Sequence, residues 1–272
     1  MTTQREKAER FVALHARPGA FVIPNPWDPG SAKLLEGLGF EALATTSAGF
    51  ANAIGKLDGQ VTLQEKIEHC RALAAATGIP INADLENGFA DDPRTAAENI
   101  RQVALAGIVG GSIEDWNGKA IYDFGLAVER VHAAAEMKRK LDFPFTLTAR
   151  AEGVLRRTQS IDEAIKRLQA YEAAGADVLY APGLTDLADV RRVTSAVTKP
   201  VNVLMMMRGV TLAQLADAGA KRVSLGGSLA RAAISALIRA SKEMLESGTF
   251  GWTADLASGG EVTKLLTGAK RP

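Results

Sequence analysis

The chain has 272 residues, 47% of them apolar, and its 32 basic and 31 acidic side chains leave a formal charge of +1. A chain of this size buries a full core, and its balanced charge gives no electrostatic case for nucleic acid or an anionic membrane surface. One cysteine excludes an internal disulfide and suits a reducing cytoplasm, and no stretch approaches the ~18 apolar residues that a membrane span needs.

The chain opens on MTTQREKAERFVALH, a charged amphipathic helix without the apolar run of a signal peptide. Short β-rich runs then recur: AFVIPN (20–25), EALATTS (41–47), IPINADL (79–85), IVGGSIED (108–115), FPFTLTAR (143–150), ADVLYAP (176–182), PVNVLM (200–205) and KRVSLGG (221–227). Helical patterns lie between them. Thr62 with Glu65 and Ser160 with Glu163 fit the capping box, in which hydroxyl and carboxylate satisfy orphan amides reciprocally. Asp91 and Asp92 precede Pro93 and read as the start of a helix. AGIVG, AGADV and AGAKR each put a glycine where a helix stops and a strand begins.

Eight strand–helix alternations over roughly 250 residues are the size and rhythm of a (β/α)₈ barrel of the TIM type. The near-continuous apolar runs suit a parallel sheet covered by helices. An open doubly wound sheet would more usually carry a glycine-rich first turn, whereas the first strand here ends in PNPWDPGS. No linker divides the chain. Residues 1–272 therefore read as one barrel domain, with 248–272 a helical extension packing on the barrel or on a partner subunit.

In such a barrel, chemistry sits at the C-terminal strand ends. Those ends carry Trp27; Ser47, with Asp58 in the loop beyond; Asn82, Asp84 and Glu86; Glu114 and Asp115; Arg150; and Asn202. The three histidines, His15, His69 and His132, all fall within helical patterns, which argues against histidine acid–base work and against zinc. Cys70 shares a stripe with Leu63, Ile67 and Ala74 and reads as a core thiol. Strand alternation puts Asn82, Asp84 and Glu86 on one face. Clustered carboxylates repel unless a cation joins them, and Mg²⁺ takes oxygen ligands while keeping several waters. Arg150 ends an otherwise uncharged strand beside these acids, placed to clamp a carboxylate or phosphate. An ion pair with Glu152 is its structural alternative. LGGSLARA (225–232) is a strand–glycine–helix junction of the kind that holds phosphate, though tight packing explains it equally well.

The segments NPWDPGSAKLLEGLGFEALATTSAG, GKLDG, INADLENGF, GGSIED, LTARAEG and YEAAGADVLYAPG fall in an order that resembles the isocitrate lyase / phosphoenolpyruvate mutase superfamily. The resemblance implies a modified barrel, a dimer or tetramer with its eighth helix exchanged between subunits, and a small 2-oxo or 2-hydroxy carboxylate bound with Mg²⁺, or Mn²⁺ in its place. It implies metal roles for Asp84 and Glu114, with Asp58 near the metal's waters, and a substrate role for Arg150. Trp27, Ser47, Ala48 and Gly49 match the segment around the substrate's oxygens. Two departures stand out. The first aspartate of the family's Asp-Ala-Asp is Asn82, for which Glu86 is the candidate replacement. The lid EDWNGKAIYDFG (114–125) lacks the cysteine of the lyases and the arrangement of the mutases. The expectation is a lyase cleaving a C–C bond through a pyruvate-like enolate, with Tyr122, Lys119 or water as proton donor. P–C chemistry of the mutase or phosphonopyruvate hydrolase kind is the alternative, and a non-catalytic 2-oxo acid binding protein is a third.

Overall fold

The computed structural model describes residues 2–268. Its parallel strands are β1 (Phe21–Ile23), β2 (Leu43–Ala44), β3 (Ile81–Asp84), β4 (Gly110–Glu114), β5 (Thr146–Arg150), β6 (Val178–Tyr180), β7 (Val201–Leu204) and β8 (Arg222–Ser224). Each lies inside a run predicted from the sequence and is shorter than it, because the flanking residues leave the ladder to form loops. The helices are α1 (Gln4–Ala16), α2 (Pro29–Gly37), α3 (Ser47–Ala53), α4 (Leu63–Ala76), α5 (Pro93–Ala104), α6 (Phe124–Lys138), α7 (Ile161–Ala173), α8 (Leu187–Ser195), α9 (Leu212–Asp217), α10 (Ser228–Ser247) and α11 (Gly259–Thr267).

The strand order β1-β8-β7-β6-β5-β4-β3-β2 makes a (β/α)₈ barrel whose seam lies between β1 and β2. Two devices span that seam. The Ala44 amide donates to the Pro24 carbonyl at 3.0 Å. Buried Asn25 donates to the Thr45 carbonyl at 3.1 Å and accepts from the Leu225 amide at 2.8 Å, tying β1 to both neighbours.

The helix boundaries follow local chemistry. Thr3–Glu6 and Thr62–Glu65 form complete capping boxes. Ser160 caps α7 through the Glu163 amide, but the box is only half made, since the Glu163 carboxylate turns to Lys166 at 2.7 Å. Gly107, Gly175 and Gly219 adopt φ of +104°, +105° and +89° at the helix-to-strand turns, a conformation that only glycine takes at no cost.

α1 closes the N-terminal mouth of the barrel. Gln4 donates to the Ala104 and Ile108 carbonyls, Lys7 to those of Ala74 and Thr77, and Phe11 is fully buried. A Cβ at Gly110 would come within 2.9 Å of the Phe11 ring and 3.0 Å of the Thr146 carbonyl oxygen, so the plug seats only over glycine. At the other end of the chain, α10 leaves the barrel with Ala230 its one buried residue. α11 lies against α2, with no room for a side chain at Gly37, where a Cβ would stand 2.5 Å from the Leu265 carbonyl oxygen. Of the predicted extension, 269–272 lie outside the described residues. Among the described residues no helix is long and apolar enough to cross a membrane.

Candidate active site

With α1 closing one end, the barrel opens at the C-terminal strand ends, where a cavity of about 1130 Å³ is found. Asp58, Asn82, Asp84, Glu86, Glu114, Arg150, Asn202, Ser47 and Ala48 all line it. Trp27 and Gly49 do not. The Trp27 carbonyl accepts from His69 Nε2 at 2.9 Å. Gly49 packs so closely that a Cβ would meet Thr46 Cγ2 at 2.6 Å and Trp27 Cβ at 3.2 Å. Trp27 backs the first turn of α3, Gly49 lies in that turn on the side away from the cavity, and Ser47 and Ala48 present it to the cavity.

Arg150 is the hub. It donates through Nη1 to Asp84 Oδ1 at 2.8 Å and through Nε and Nη2 to Glu152 Oε1 at 3.0 and 2.6 Å, and Nη2 lies 3.1 Å from Glu114 Oε2. The Glu152 pairing foreseen as an alternative is thus present, together with the contacts to the cavity acids. The guanidinium also stands 5.1 Å from the centre of the Tyr180 ring. Burial opposes its charge, but Glu152, Glu114 and Asp84 outweigh that and hold its pKa well above the ordinary value. Burial pushes Glu114 well above the usual carboxylate range, with Arg150 opposing. For Asp84 the balance falls the other way: burial would raise it, yet Arg150, Lys66 and the Ser47 amide, which donates to Oδ2 at 3.1 Å, keep it low.

Period-two alternation explains part of this arrangement. Glu114 faces the cavity, and its neighbour Asp115 turns outward to bind Tyr171 at 2.6 Å, Arg167 at 3.1 Å and the Glu152 amide at 2.8 Å. Glu86 does not follow the alternation. β3 ends at Asp84, and Glu86 takes a left-handed φ of +49°, reaching the cavity through a turn rather than along a strand face. Its Oε1 is buried without a hydrogen-bond partner among the described residues, and burial, with the charge of Asp84, lifts its carboxyl to about 7. Asn82 Oδ1, deeper in the barrel, is likewise buried and unpartnered. Among the described residues, no three His, Cys, Asp or Glu side chains sit close enough to form a ready-made metal cage.

Several expectations need correction. Asp92 caps α5 as foreseen, accepting from the Thr95 amide at 2.8 Å, but Asp91 does not. Its carboxylate takes the Tyr122 hydroxyl, a partner 31 residues away that no local pattern reveals. Tyr122 is therefore a tie between two loops: it is buried, accepts from Asn87 at 2.9 Å and lies under the Arg130 guanidinium. Neither Tyr122 nor Lys119 lines the cavity; the lid contributes Trp116, Asn117 and Gly118. The histidines and Cys70 keep their expected helical places, with Cys70 fully buried and its thiol pushed up to about 11 by burial. Sequence reasoning passed over Arg156, Trp116 and Arg222, which line the cavity, and Lys66, fully buried behind it with Nζ unpartnered. A cation at a core-facing helical position was the available signal for Lys66.

Comparison with known proteins gives a consistent set. A family model described as phosphoenolpyruvate phosphomutase matches residues 11–245. A crystal structure from Burkholderia cenocepacia J2315, provisionally described as a lyase/mutase, is 52% identical with a TM-score of 0.93, covering 96% of this chain and 95% of that one. The 2-methylisocitrate lyase of Escherichia coli K12 is 30% identical over 202 residues, 70% of this chain and 67% of that protein. A phosphoenolpyruvate phosphomutase from Streptomyces platensis subsp. rosaceus is 25% identical with a TM-score of 0.83, covering 96% and 95%.

Proposed function

The chain belongs to the phosphoenolpyruvate phosphomutase family, within the superfamily that also holds the lyases just described, and from that premise we propose a Mg²⁺-dependent lyase. It would cleave a C–C bond of a small 2-oxo or 2-hydroxy carboxylate through a pyruvate-like enolate.

The observation that carries this reading is the convergence of Asp84, Glu114 and Arg150 in one cavity, with the orphan oxygens of Glu86 and Asn82 beside them. Buried oxygens without donors are costly unless a cation meets them. An all-oxygen set suits Mg²⁺, or Mn²⁺, over zinc. Magnesium needs only one or two carboxylates plus waters, so the absence of a tight acidic cage among the described residues fits it. Asp84 and Glu114 would hold the ion, Glu86 and Asn82 would offer further oxygens, and Asp58 at the cavity rim would meet its waters. When bound, the metal supplies Lewis-acid stabilisation of charge on the substrate's 2-oxygen.

The remaining roles belong to the chain. Arg150 is pre-aimed by three carboxylates, and a substrate carboxylate would compete for its bidentate edge. Ser47 and Ala48 would orient that carboxylate. Asn202 is held by Arg222 at 2.8 Å and Ser224 at 2.9 Å, which fixes the wall against which the substrate would lie. With Tyr122 and Lys119 away from the cavity, water is the proton source this reading retains. Relatives named as lyases support turnover over mere binding.

Phosphonate chemistry is the second reading. It draws on the family description and on neutral Asn82, which repels an extra-charged phosphonate less than aspartate would. A panel of oxaloacetate, 2-methylisocitrate and phosphonopyruvate separates the two: pyruvate or another 2-oxo fragment without phosphate supports the lyase, and phosphate release or phosphoryl migration supports P–C chemistry.

The proposal extends to a cytoplasmic homo-oligomer, a dimer or tetramer. α10 exposes Leu237, Ile238, Met244 and Leu245, the last 87% accessible, a face suited to exchange with a second copy. Light scattering of Leu245→Glu against the parent protein tests it; an unchanged mass in both, equal to one chain, would rule it out.

A further inference from the structure

Among the described residues three arginines line the cavity, and they are not equivalent. Arg150 has its donors on Asp84, Glu114 and Glu152. Arg222 is buried at the floor, where it donates to Asn202 at 2.8 Å and Thr148 at 3.0 Å and lies 3.4 Å from His15. Arg156, at the mouth, uses only one edge: its Nε stands 3.3 Å from Glu152 Oε2, while Nη1 and Nη2 make no hydrogen bond to the described protein. Its guanidinium lies 4.8 Å from the centre of the Trp116 ring. Stacking of this kind fixes the plane of the fork and leaves its donor edge available.

The backbone holds Arg156 in place. The Arg156 amide bonds the Glu152 carbonyl at 3.0 Å, and the Gly153 carbonyl takes the Thr158 and Gln159 amides at 2.9 and 3.2 Å. Gly183, at φ +100°, lies so close under Leu155 that a Cβ there would come within 2.7 Å of its backbone nitrogen. Arg157 then turns away with φ +57° and does not line the cavity. A single carboxylate, Glu152, separates the two guanidiniums, with Arg150 on Oε1 at 2.6 Å and Arg156 beside Oε2. The lid itself brings no cation to the cavity, only Trp116, Asn117 and Gly118.

We infer that Arg156, stacked on Trp116, is the specificity-determining residue that receives a second, distal anionic group of the substrate. The substrate would then lie with its head at Arg150 and its distal anionic group at Arg156. This rests on the 2-oxo or 2-hydroxy acid reading of the site and sharpens it.

The test uses the Mg²⁺-loaded protein and three probes with one 2-oxo acid head: pyruvate with no distal charge, oxaloacetate with a distal carboxylate and phosphonopyruvate with a distal phosphonate. Calorimetry or inhibition constants give their affinities. Wild type is expected to prefer a diacid to pyruvate. Arg156→Gln is expected to weaken diacid binding by about tenfold to a hundredfold, the range for a charge-assisted hydrogen bond, while pyruvate shifts by less than about twofold. Arg156→Lys should recover part of the loss, since the charge returns without the planar fork. Preferential loss of oxaloacetate identifies the tail as a carboxylate, and preferential loss of phosphonopyruvate identifies it as a phosphonate; either supports the assignment. Equal losses on all three probes, or none, would overturn it, and a purely structural Arg156 gives one of those results. If wild type binds none of the probes, the parent reading fails and this one with it. If pyruvate still binds but diacid affinity ignores Arg156, this inference alone fails.

Discussion

Replacing Arg150 by methionine probes the electrostatic design of the site most sharply. The guanidinium is 13% exposed and neutralises Asp84, Glu114 and Glu152, whose side chains are 17%, 8% and 0% exposed. Methionine keeps the stem's bulk and removes what is, among the described residues, the one cation within ion-pair distance of all three. Breaking a buried pair by deleting one partner costs about 3–5 kcal/mol. At roughly 2–4 °C per kcal/mol for a chain of this size, the melting temperature at pH 7 should fall by roughly 6–20 °C. The pH dependence carries the diagnosis. Glu114 is already pushed up by burial with Arg150 present, whereas Asp84 is kept low chiefly by Arg150, so without it burial raises the Asp84 carboxyl and the folded variant takes up a proton that folded wild type does not. Its stability relative to wild type must then improve as pH falls from 7 towards 5. Thermal unfolding of both proteins across that range gives the gap directly. A gap that stays constant with pH, or a variant that melts with wild type, would refute the claim that Asp84 depends on Arg150 for its charge.

Three further expectations follow from other parts of the molecule. His15 and His69 are held near 3 against an ordinary 6.5, by burial first and then by Arg222 and Lys66 respectively, so the unfolded chain binds more protons below pH 6.5 and stability is lost as pH falls. At pH 5 the loss is about 2 kcal/mol for each, and denaturant titrations at pH 7 and 5 measure it. Cys70, fully buried with its thiol near 11, should resist thiol reagents in the native protein and react at the rate of global unfolding. Tyr122→Phe removes the bonds to Asp91 and Asn87 and should lower stability by about 1–2 kcal/mol while keeping turnover within about tenfold; a general acid would cost about 10²–10⁴.

Much of this architecture is legible in the residues, for identifiable reasons. Strands buried on both faces announce themselves as apolar runs, and capping side chains such as Thr62 and Asp92 act within three residues, so short windows suffice. Barrel geometry then gathers Asp58, Asp84, Glu114 and Arg150 without any need for their individual orientations. What escaped depends on tertiary context. Glu86 enters the cavity through a left-handed turn that strand periodicity does not describe. Trp27 lies past the end of β1 and Gly49 in the first turn of α3, where strand alternation no longer dictates facing, and they pack against each other instead of lining the cavity. Asp91 answers to Tyr122 across two loops. Arg156 sits in an irregular turn, and its importance emerges only when the donors of the other two arginines are seen to be occupied.

The central claim is that Asp84 and Glu114 hold a divalent cation on which cleavage of a small 2-oxo or 2-hydroxy acid depends. Mg²⁺ affinity and turnover of the substrate panel, measured side by side for wild type and Asp84→Ala, test it most directly. The account predicts that wild-type turnover requires the metal and that Asp84→Ala loses metal affinity and turnover together, the latter by about a thousandfold or more. Unchanged Mg²⁺ affinity and unchanged turnover in Asp84→Ala would contradict it.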